Sequence, residues 1–451
     1  MEDEVKKLAV FATLISIFTL SMACGSGSGG GGIEFTDFAL KMHMASLDDI
    51  IVTQDGHYLS AGDTRDDDTV LVAKTAPDGS MVWQTVLNLD GFRIKLAEVS
   101  DGYLVFIALE IPSNGEDNDA MIVKLDFDGN FLSRKRYTNG HYDEFKDVCT
   151  VGDRVFSIVS IFASPGFSDN SQWLAEFDST GAVVSGKKID LDEGVDDNCS
   201  FYTIACDGTD TYLGGAVYID GDGSYLMLAK LDETLSVEWC KYFGTGDYSY
   251  ASDLLLHPDG GVLFAGGIDG FGEGDYDGYV AHFDADGDIQ WQMTYGTPSY
   301  DDIEALSMLD DGTLMLAGYT EGSGASADGA LFVAKLNESH VDEWSKVYGY
   351  EDIFNMAGGF AAVEDKGFVV NTFSSNWDDQ QYAWLMSVNS TGEFDDTVPY
   401  IFDMPQFTEW VATFTTSDLS LSVIDHSLSL VDHDTTTVDD PRTIEQVYPE
   451  L

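Results

Sequence analysis

Basic residues are scarce in this chain of 451 residues: 21 Lys and Arg stand against 80 Asp and Glu, and the formal net charge is −59. Nucleic acids and anionic lipid headgroups bind proteins through clustered cations, so this charge excludes both as partners of the protein surface. An acid excess of this size is typical either of a protein that stays soluble in salt or of a surface that collects divalent cations.

Cysteine is also scarce, with five residues. None of the spacings is C-x2-C and the eight histidines do not cluster near the cysteines, which argues against a zinc site. Export would permit disulfides, and the four cysteines beyond the amino terminus allow three pairings that the sequence leaves open, beside the alternative of buried thiols. These four are Cys149, Cys199, Cys206 and Cys240.

Known catalytic signatures are missing. The chain has no G-x-S-x-G elbow, no H-E-x-x-H zinc motif and no adjacent cysteine pair of the kind used by quinoprotein dehydrogenases. We therefore predict no catalytic residue and no cofactor, apart from weak calcium binding by acids in loops.

The amino terminus reads as an export signal. Lys6-Lys7 precede an apolar run from Leu8 to Leu20, which has the length of a signal peptide and is short for a membrane span. Cys24 follows, and then a flexible stretch, GSGSGGGG. Together these segments resemble a bacterial lipoprotein signal, although Leu20 is one place too early for the usual lipobox.

That resemblance implies a signal peptide over residues 1–23, lipidation of Cys24 and a tether over residues 24–34. The protein would then be held by its lipid at the cell surface or in the periplasm, with no other contact to the membrane. The alternative is an ordinary secretory signal followed by an incidental cysteine.

Between the tether and the tail, one hairpin pattern recurs. In "HFDADGDIQW", three aspartates surround a glycine between two apolar stretches. Its copies align on the residue nine places before each end, at separations of 50, 52, 54, 52, 53 and 52 residues. The aligned residues are Lys74, Lys124, Glu176, Lys230, His282, Lys335 and Ser387.

A second hairpin, typified by "DGGVLFAGG", alternates with the first, so each period holds four short strands. Four-stranded units of 40 to 50 residues, repeated four to eight times, are typical of a β-propeller. The sequence therefore predicts an all-β fold with seven four-stranded antiparallel blades over residues 35–403.

Two segments fall outside the regular repeats. A strand over Phe35 to His43 stands where the fourth strand of a blade would lie, and we expect it to complete the last blade and close the ring. Residues 404–451 contain no glycine and no lysine but alternate like strands. They predict a β-rich tail packed on the wheel or extending from it, or else a divergent eighth blade.

The alternating hairpins resemble the β-propeller repeats of secreted bacterial surface lipoproteins, and the turns are similar to Asp-box and quinoprotein-like blade hairpins. The likeness covers roughly residues 35–400 and implies an architecture without implying an activity.

The acids of the opening stretch fail as an EF-hand, because glycine comes early, at Gly287, and position 12 is Tyr295. They predict instead a two-residue primed hairpin turn at Asp286-Gly287. We expect the repeated tryptophan to pack between blades, and His282 to be a solvent-facing substitution.

Other loop acids are candidates for weak calcium binding through carboxylate oxygens, with solvated loops as the simpler interpretation. They are Asp66-Asp67-Asp68, Asp220, Asp222, Asp247 and Asp301-Asp302.

The function predicted from the sequence is an exported, lipid-anchored binding or scaffold module that uses loops on one face or the central opening. Its partner would be a protein or a carbohydrate. The alternative is a calcium-dependent polysaccharide hydrolase or lyase on the same scaffold.

Overall fold

The computed structural model describes most of the repeat region and six short strands of the tail. The described residues are 38–43, 47–64, 69–110, 118–137, 142–162, 170–191, 200–219, 223–272, 274, 276–309, 311–322, 329–337, 339–348, 354–363, 367–375, 381–392, 401–403, 408–411, 417–418, 421–425, 433–434 and 444–447. The predicted signal peptide, Cys24 and the tether lie outside them. Among the described residues, whose regular elements are all strands, no helix has the length and apolarity needed to cross a membrane.

Seven antiparallel sheets form the blades of a β-propeller, and each blade has four strands. The first strand in the chain, β1 (Phe38–His43), belongs to the last blade. Blade 1 contains β2 (Asp49–Val52), β3 (Tyr58–Thr64), β4 (Thr69–Thr75) and β5 (Met81–Leu87). Blade 2 contains β6 (Gly91–Val99), β7 (Gly102–Glu110), β8 (Asn118–Leu125) and β9 (Phe131–Tyr137).

Blades 3 to 5 follow the same order. Blade 3 contains β10 (Asp143–Val151), β11 (Arg154–Phe162), β12 (Asn170–Phe177) and β13 (Val183–Leu191). Blade 4 contains β14 (Ser200–Cys206), β15 (Thr211–Ile219), β16 (Gly223–Leu231) and β17 (Val237–Gly246). Blade 5 contains β18 (Ser249–Leu256), β19 (Val262–Asp269), β20 (Tyr276–Phe283) and β21 (Ile289–Gly296).

The last two blades complete the ring. Blade 6 contains β22 (Asp301–Met308), β23 (Leu314–Thr320), β24 (Ala330–Leu336) and β25 (Asp342–Tyr348). Blade 7 contains β26 (Phe354–Val363), β27 (Gly367–Ser375), β28 (Gln381–Val388) and, on its outer edge, β1. The register of β1 on β28 runs from Phe38 opposite Ser387 to His43 opposite Tyr382. The predicted closing strand is therefore confirmed.

The tail runs round the outside of the wheel in the reverse order of the blades. Six short strands, the first just before residue 404 and the other five in the tail, each pair antiparallel with the fourth strand of one blade, from blade 6 back to blade 1. They are β29 (Ile401–Asp403), β30 (Thr408–Val411), β31 (Ser417–Asp418), β32 (Leu421–Asp425), β33 (His433–Asp434) and β34 (Ile444–Val447). Since these strands do not form a sheet of their own, the alternative of an eighth blade is wrong.

Burial along the strands follows from the stacking of the blades. The middle strands of a blade are covered on both faces by neighbouring blades, and every residue of β20 and β23 is buried. Strand β21 alternates more, because it lies further out. The core is accordingly divided into clusters that bridge blades, such as the one that joins Val70 and Trp83 of blade 1 to Tyr103 and Val123 of blade 2.

The turn of the opening stretch confirms the hairpin and corrects its geometry. The amide of Gly287 donates to the carbonyl of Asp284 (2.9 Å), and Gly287 alone in the turn has a positive φ, +76°. Residues 284–287 thus form a four-residue turn with a bulge at glycine, and the predicted two-residue primed turn is wrong. The physical reason is the Asp284 carboxylate, whose Oδ1 accepts from the amides of Asp286 (3.0 Å) and Asp288 (2.9 Å).

The repeated tryptophan packs between blades, as predicted. Trp83 is 3% exposed and its indole Nε1 donates to the carbonyl of Phe127 in the next blade (3.0 Å). Trp239 makes the equivalent bond to Ala285 (3.0 Å). Each indole also covers the turn glycine of the next blade, so the tryptophan column stabilises the ring.

Candidate functional site

The seven first strands surround the axis of the wheel, and each contacts the first strand of the next blade. They are β2, β6, β10, β14, β18, β22 and β26. In six of them the ladder with the second strand is interrupted by a bulge near the middle. Bulges change the direction of side chains, and here they place polar groups around the central opening.

Most of the acids on the first strands have a structural partner. The carboxylates of Asp49, Asp147 and Asp253 accept hydrogen bonds from the backbone amides of Leu96 (2.8 Å), Ile204 (3.0 Å) and Leu306 (2.7 Å), which lie in the next blade. Glu304 does the same for Ala357 (2.9 Å). These acids satisfy amides along the inner edge of the sheets, where no further strand is present.

The cations near the opening are also paired. Arg93 and Lys146 both bind Glu144, whose side chain is buried. Lys95 Nζ lies 3.4 Å from Asp147 Oδ1. Three of the few basic residues in the chain are therefore neutralised within blades 2 and 3.

Asp302 differs from these acids. It lies two residues before the bulge of blade 6, as Glu144 lies two residues before the bulge of blade 3. No basic side chain among the described residues pairs with Asp302, and its Oδ1 is buried without a hydrogen-bond partner. Burial raises the pKa of Asp302 to about 7.

Four tyrosines lie near Asp302 on the front face, which we define as the side of the wheel where first and third strands begin. The tyrosine cluster consists of Tyr248, Tyr250, Tyr276 and Tyr300. Tyr276 stacks on Tyr300, with ring centroids 4.5 Å apart and an interplanar angle of 7°, and Tyr248 lies 5.9 Å from Tyr276. Tyr250 contacts Tyr202 of the preceding blade at 5.0 Å.

Local sequence explains how the cluster is built. Tyr248 and Tyr300 are the residues immediately before β18 and before β22, and Tyr276 opens β20. Gly267 in the neighbouring strand leaves room for Tyr276, since a Cβ at that position would lie 2.2 Å from the tyrosine ring. Tyr276 is buried by this arrangement, whereas Tyr248 is 63% exposed and Tyr250 and Tyr300 are each 38% exposed.

The charge of Asp302 affects the pKa values of three tyrosines of the cluster. Burial, and after it the charge of Asp302, raises the pKa of Tyr300 to about 12 and raises that of Tyr276 further. Burial also raises the pKa of Tyr250 to about 12, with contributions from Tyr202 and Asp302. The hydroxyls therefore stay protonated at neutral pH, and the site offers aromatic faces and hydroxyl groups beside one carboxyl.

Beside Asp302 on the same strand, the pKa of Glu304 is raised to about 8 by burial and by Asp302. Exposed tyrosine rings stack on flat apolar surfaces or on cations, and a carboxyl nearby fixes orientation. The arrangement is therefore suited to holding a small ligand group at the front face.

The other acids singled out from the sequence do not join this site as metal ligands. Asp66, Asp67, Asp68, Asp220 and Asp222 lie outside the described residues. Asp301 accepts from the amide (2.6 Å) and hydroxyl (2.7 Å) of Thr297 through Oδ2. Within the described part of the chain, no group of three or more His, Cys, Asp or Glu could hold a metal ion.

His282 is buried, at 8% exposure, and the prediction of a solvent-facing side chain is wrong. Its ring lies 4.0 Å from that of His257, and its Nε2 is 3.3 Å from the carbonyl of Gly260. Three lysines of the same column, Lys74, Lys124 and Lys230, are also buried. Lys74 Nζ donates to Asp55 (2.6 Å) and Lys124 Nζ to Asp101 (2.6 Å). In blades 1, 2 and 5 the column thus connects the third strand with the first hairpin turn.

One disulfide, between Cys149 and Cys206, joins the first strands of blades 3 and 4. Cys240 is buried in the core between the same two blades. Cys199 lies outside the described residues.

The tyrosine cluster is absent from the sequence-based predictions, although a signal for it exists. Three of the first strands, β10, β18 and β22, are each preceded directly by a tyrosine, at Tyr142, Tyr248 and Tyr300. These tyrosines lie outside the turn motifs that define the repeats.

No protein-family profile matches the chain, and no curated protein sequence is similar to it. Several solved structures are similar in backbone. A puromycin hydrolase S511A mutant aligns at 13% identity and TM-score 0.47, over 80% of this chain and 54% of its own. A Dyadobacter fermentans protein of unknown function aligns at 10% identity and TM-score 0.43, over 77% of this chain and 95% of its own.

The phage phi92 endosialidase aligns at 11% identity and TM-score 0.42, over 81% of this chain and 71% of its own. This chain spans about half the length of the puromycin hydrolase chain. At these identities and TM-scores, no activity, substrate or partner of those proteins is transferred to this chain.

Proposed function

We propose that this protein is an exported, lipid-anchored binding module, and that its ligand binds at the tyrosine cluster on the front face. The observation that carries the proposal is the grouping of three exposed tyrosine rings with one carboxyl whose Oδ1 has no hydrogen-bond partner. Amphipathic rings of this kind provide contact area at a small cost in conformational entropy, which suits them to recognition.

The rest of the inner ring supports this placement. Asp49, Asp147, Asp253 and Glu304 are occupied in joining neighbouring blades, so they are not available to a ligand without a loss of structure. Asp302 has no such bond among those described, and its charge acts on the exposed tyrosines Tyr250 and Tyr300. Binding at this position would leave the wheel unchanged.

The test is a screen of glycan and peptide arrays with the full mature chain, repeated with Tyr248→Ala. Tyr248 is 63% exposed, so its removal leaves the core intact. We expect ligand binding to fall at least about fivefold, a typical loss for an exposed aromatic contact. An array ligand whose binding is unaffected by Tyr248→Ala and by Tyr300→Ala would place the site elsewhere.

Export and anchoring are the second part of the proposal. The signal-like segment, the Gly-Ser stretch after Cys24 and the disulfide between Cys149 and Cys206 all support it, since disulfides persist in oxidising compartments. Expression in a bacterial host followed by mass spectrometry tests it. A diacylglyceryl group on Cys24 and release of a Cys24→Ser variant into the soluble fraction are expected; an unmodified mature terminus elsewhere contradicts the anchor.

A polysaccharide hydrolase or lyase is the second candidate. One observation favours it: the Oδ1 atom of Asp302 is buried without a hydrogen-bond partner, and this burial raises the pKa of Asp302 to about 7, which would suit a general acid at neutral pH. The test is release of product from a panel of polysaccharides, with Asp302→Asn as the inactive control. Product release that is equal in wild type and Asp302→Asn would exclude Asp302 as the acid.

A further inference from the structure

Blades 3 and 6 place a carboxylate at the same position but surround it differently. Glu144 and Asp302 each lie two residues before the bulge of their first strand. Glu144 forms an ion pair with Arg93 of the preceding blade and a second ion pair with Lys146 at the bulge of its own blade. A buried carboxylate at this position is thus stabilised by two positive groups in blade 3.

Near Asp302, the positions equivalent to those of the two cations carry residues without a positive charge. The bulge of blade 5 holds Ser252 where the bulge of blade 2 includes Arg93. The bulge of blade 6 holds Glu304 where that of blade 3 holds Lys146. The positions that hold Arg93 and Lys146 near Glu144 therefore hold Ser252 and Glu304 near Asp302. A hydroxyl and an acid stand in place of two cations.

Three tyrosines lie close enough to Asp302 for its charge to raise their pKa values. Tyr250 comes from β18, Tyr276 from β20 and Tyr300 from the segment before β22. The face of an aromatic ring attracts a positive group through a cation–π interaction, which is strongest where water is excluded. With a net charge of −59, the protein also attracts cations to its surface.

We propose that the tyrosine cluster binds an organic cation, an amine or quaternary ammonium group, that takes at Asp302 the place which Arg93 and Lys146 take at Glu144. The proposal rests on the proposed binding function and names its ligand class. The positive group lies against Asp302, and the rings of Tyr248, Tyr250 and Tyr300 cover its apolar substituents.

The proposal implies a pH dependence with a defined sign. Since the pKa of Asp302 is raised to about 7, a bound cation favours the ionised carboxylate and affinity rises as pH increases from 6 to 8. The other groups that face Asp302 are Glu304 on its own strand and the hydroxyls of Tyr250, Tyr276 and Tyr300, with Arg93 and Lys95 beyond Tyr250. A neutral sugar that accepts from a protonated carboxyl would show the opposite trend.

The test is calorimetric titration of the full mature chain with tetramethylammonium chloride in 0.5 M KCl, where the Debye length is about 4 Å and diffuse attraction to the acidic surface is screened. We expect one saturable site that binds more tightly at pH 8 than at pH 6. Asp302→Asn is expected to lower affinity at least about tenfold and to reduce the pH dependence to the part that Glu304 contributes, and Tyr248→Ala is expected to lower affinity at least about fivefold.

Two further variants separate this role from a structural one. Ser252→Arg restores the cation that blade 2 provides in Arg93, and we expect it to compete with the ligand and abolish binding while the wheel stays folded. Asp286→Asn removes the same charge from an exposed turn of blade 5 on the opposite face, and affinity is expected to stay unchanged.

The outcomes distinguish the two proposals. If tetramethylammonium does not bind, or if Asp302→Asn and Ser252→Arg leave its affinity unchanged, the organic cation is wrong. If a neutral array ligand binds in that case and is lost in Tyr248→Ala, the binding function remains with another ligand class. If neither probe is affected by Tyr248→Ala, both proposals fail.

Discussion

At the residue scale, the last position of each hairpin turn shows two constraints acting together. Gly129 and Gly287 have positive φ, of 78° and 76°, and each is covered by an indole from the preceding blade. Where glycine is absent, Leu235 and His340 adopt positive φ as well, at 57° and 61°. His340 stacks on Trp291 with ring centroids 3.8 Å apart, so the contact between blades offsets the cost of the backbone conformation.

The two constraints can be separated with a pair of alanine substitutions. Gly56 and Gly129 have nearly equal φ, of 79° and 78°, but a Cβ meets nothing within 4 Å at Gly56 and lies 2.5 Å from Trp83 at Gly129. Gly56→Ala is expected to lower the free energy of unfolding by about 1 kcal/mol through the backbone alone. Gly129→Ala is expected to lower it by at least about 2 kcal/mol more, because the indole must shift. Denaturant unfolding followed by tryptophan fluorescence measures both, and equal losses would contradict the packing role.

Glu304 gives a second prediction at this scale, on pH. Its pKa is raised to about 8 by burial, above the value of about 4.3 in an unfolded chain, so the folded state binds more protons between these values. Its contribution to stability is therefore full at low pH and declines as pH rises towards 8. Glu304→Gln retains an acceptor for the Ala357 amide. We expect the free energy of unfolding of the variant, relative to that of the wild type, to be higher at pH 8.5 than at pH 5 by on the order of 1 kcal/mol. Urea unfolding of both proteins at both pH values checks this, and an equal difference at the two pH values would refute it.

At the element scale, the added strands β29 to β34 pair with the outer edges of the blades. Each blade would otherwise present the unpaired amides and carbonyls of its fourth strand, which invite pairing with another chain. Strands β29 to β34 cover six of these edges, and the fourth strand of blade 7 is β1 itself. The tail thus acts as a belt, made of short segments that each add one strand to a blade.

Removal of residues 404–451 tests the belt, because it deletes five of the six added strands and leaves β29. We expect the circular dichroism of the blades to be retained, with faster amide exchange in β5, β9, β13, β17 and β21 and unchanged exchange in β21's neighbour β20. Light scattering is expected to show association that increases with concentration, driven by the exposed edges. A monomer with unchanged exchange would show that the belt does not protect these strands.

Elements of the blades could be predicted from the sequence because each is repeated. The spacing that places Phe35 where a fourth strand belongs was sufficient to predict β1 as the closing strand. The belt could not be placed in the same way, since pairing of β31 or β33 uses two residues each and backbone atoms alone. The tyrosine cluster was missed because its four residues lie in or directly before three strands of two blades. The equivalence of Glu144 and Asp302 depends on bulges that leave no mark in the sequence.

At the scale of the whole molecule, the ring is closed by one noncovalent latch. Six blades consist of four consecutive strands, but blade 7 joins both ends of the repeat region, with Phe38 opposite Ser387. Contacts so distant in sequence are costly in chain entropy to form, and the ring gains all its neighbouring interfaces only when they are in place. Blade 7 is therefore the position from which we expect the wheel to open.

Two truncations that differ only in β1 measure the latch. A chain that begins at residue 44 lacks β1, and one that begins at residue 38 retains it. Loss of the hydrogen-bonded ladder on β28 is expected to lower the free energy of unfolding by about 3 kcal/mol, at about 0.5 kcal/mol for each of roughly six bonds between the six paired residues. Amide exchange should increase first in β28 and in β2, which contacts β26 and β27 of blade 7 across the closure, before it increases in blades 3 to 5. Because the strand binds as a separate segment, a synthetic peptide of residues 35–43 added to the shorter chain should restore both stability and protection by mass action. Failure of the peptide to restore either, or uniform exchange across all blades, would show that closure does not depend on β1.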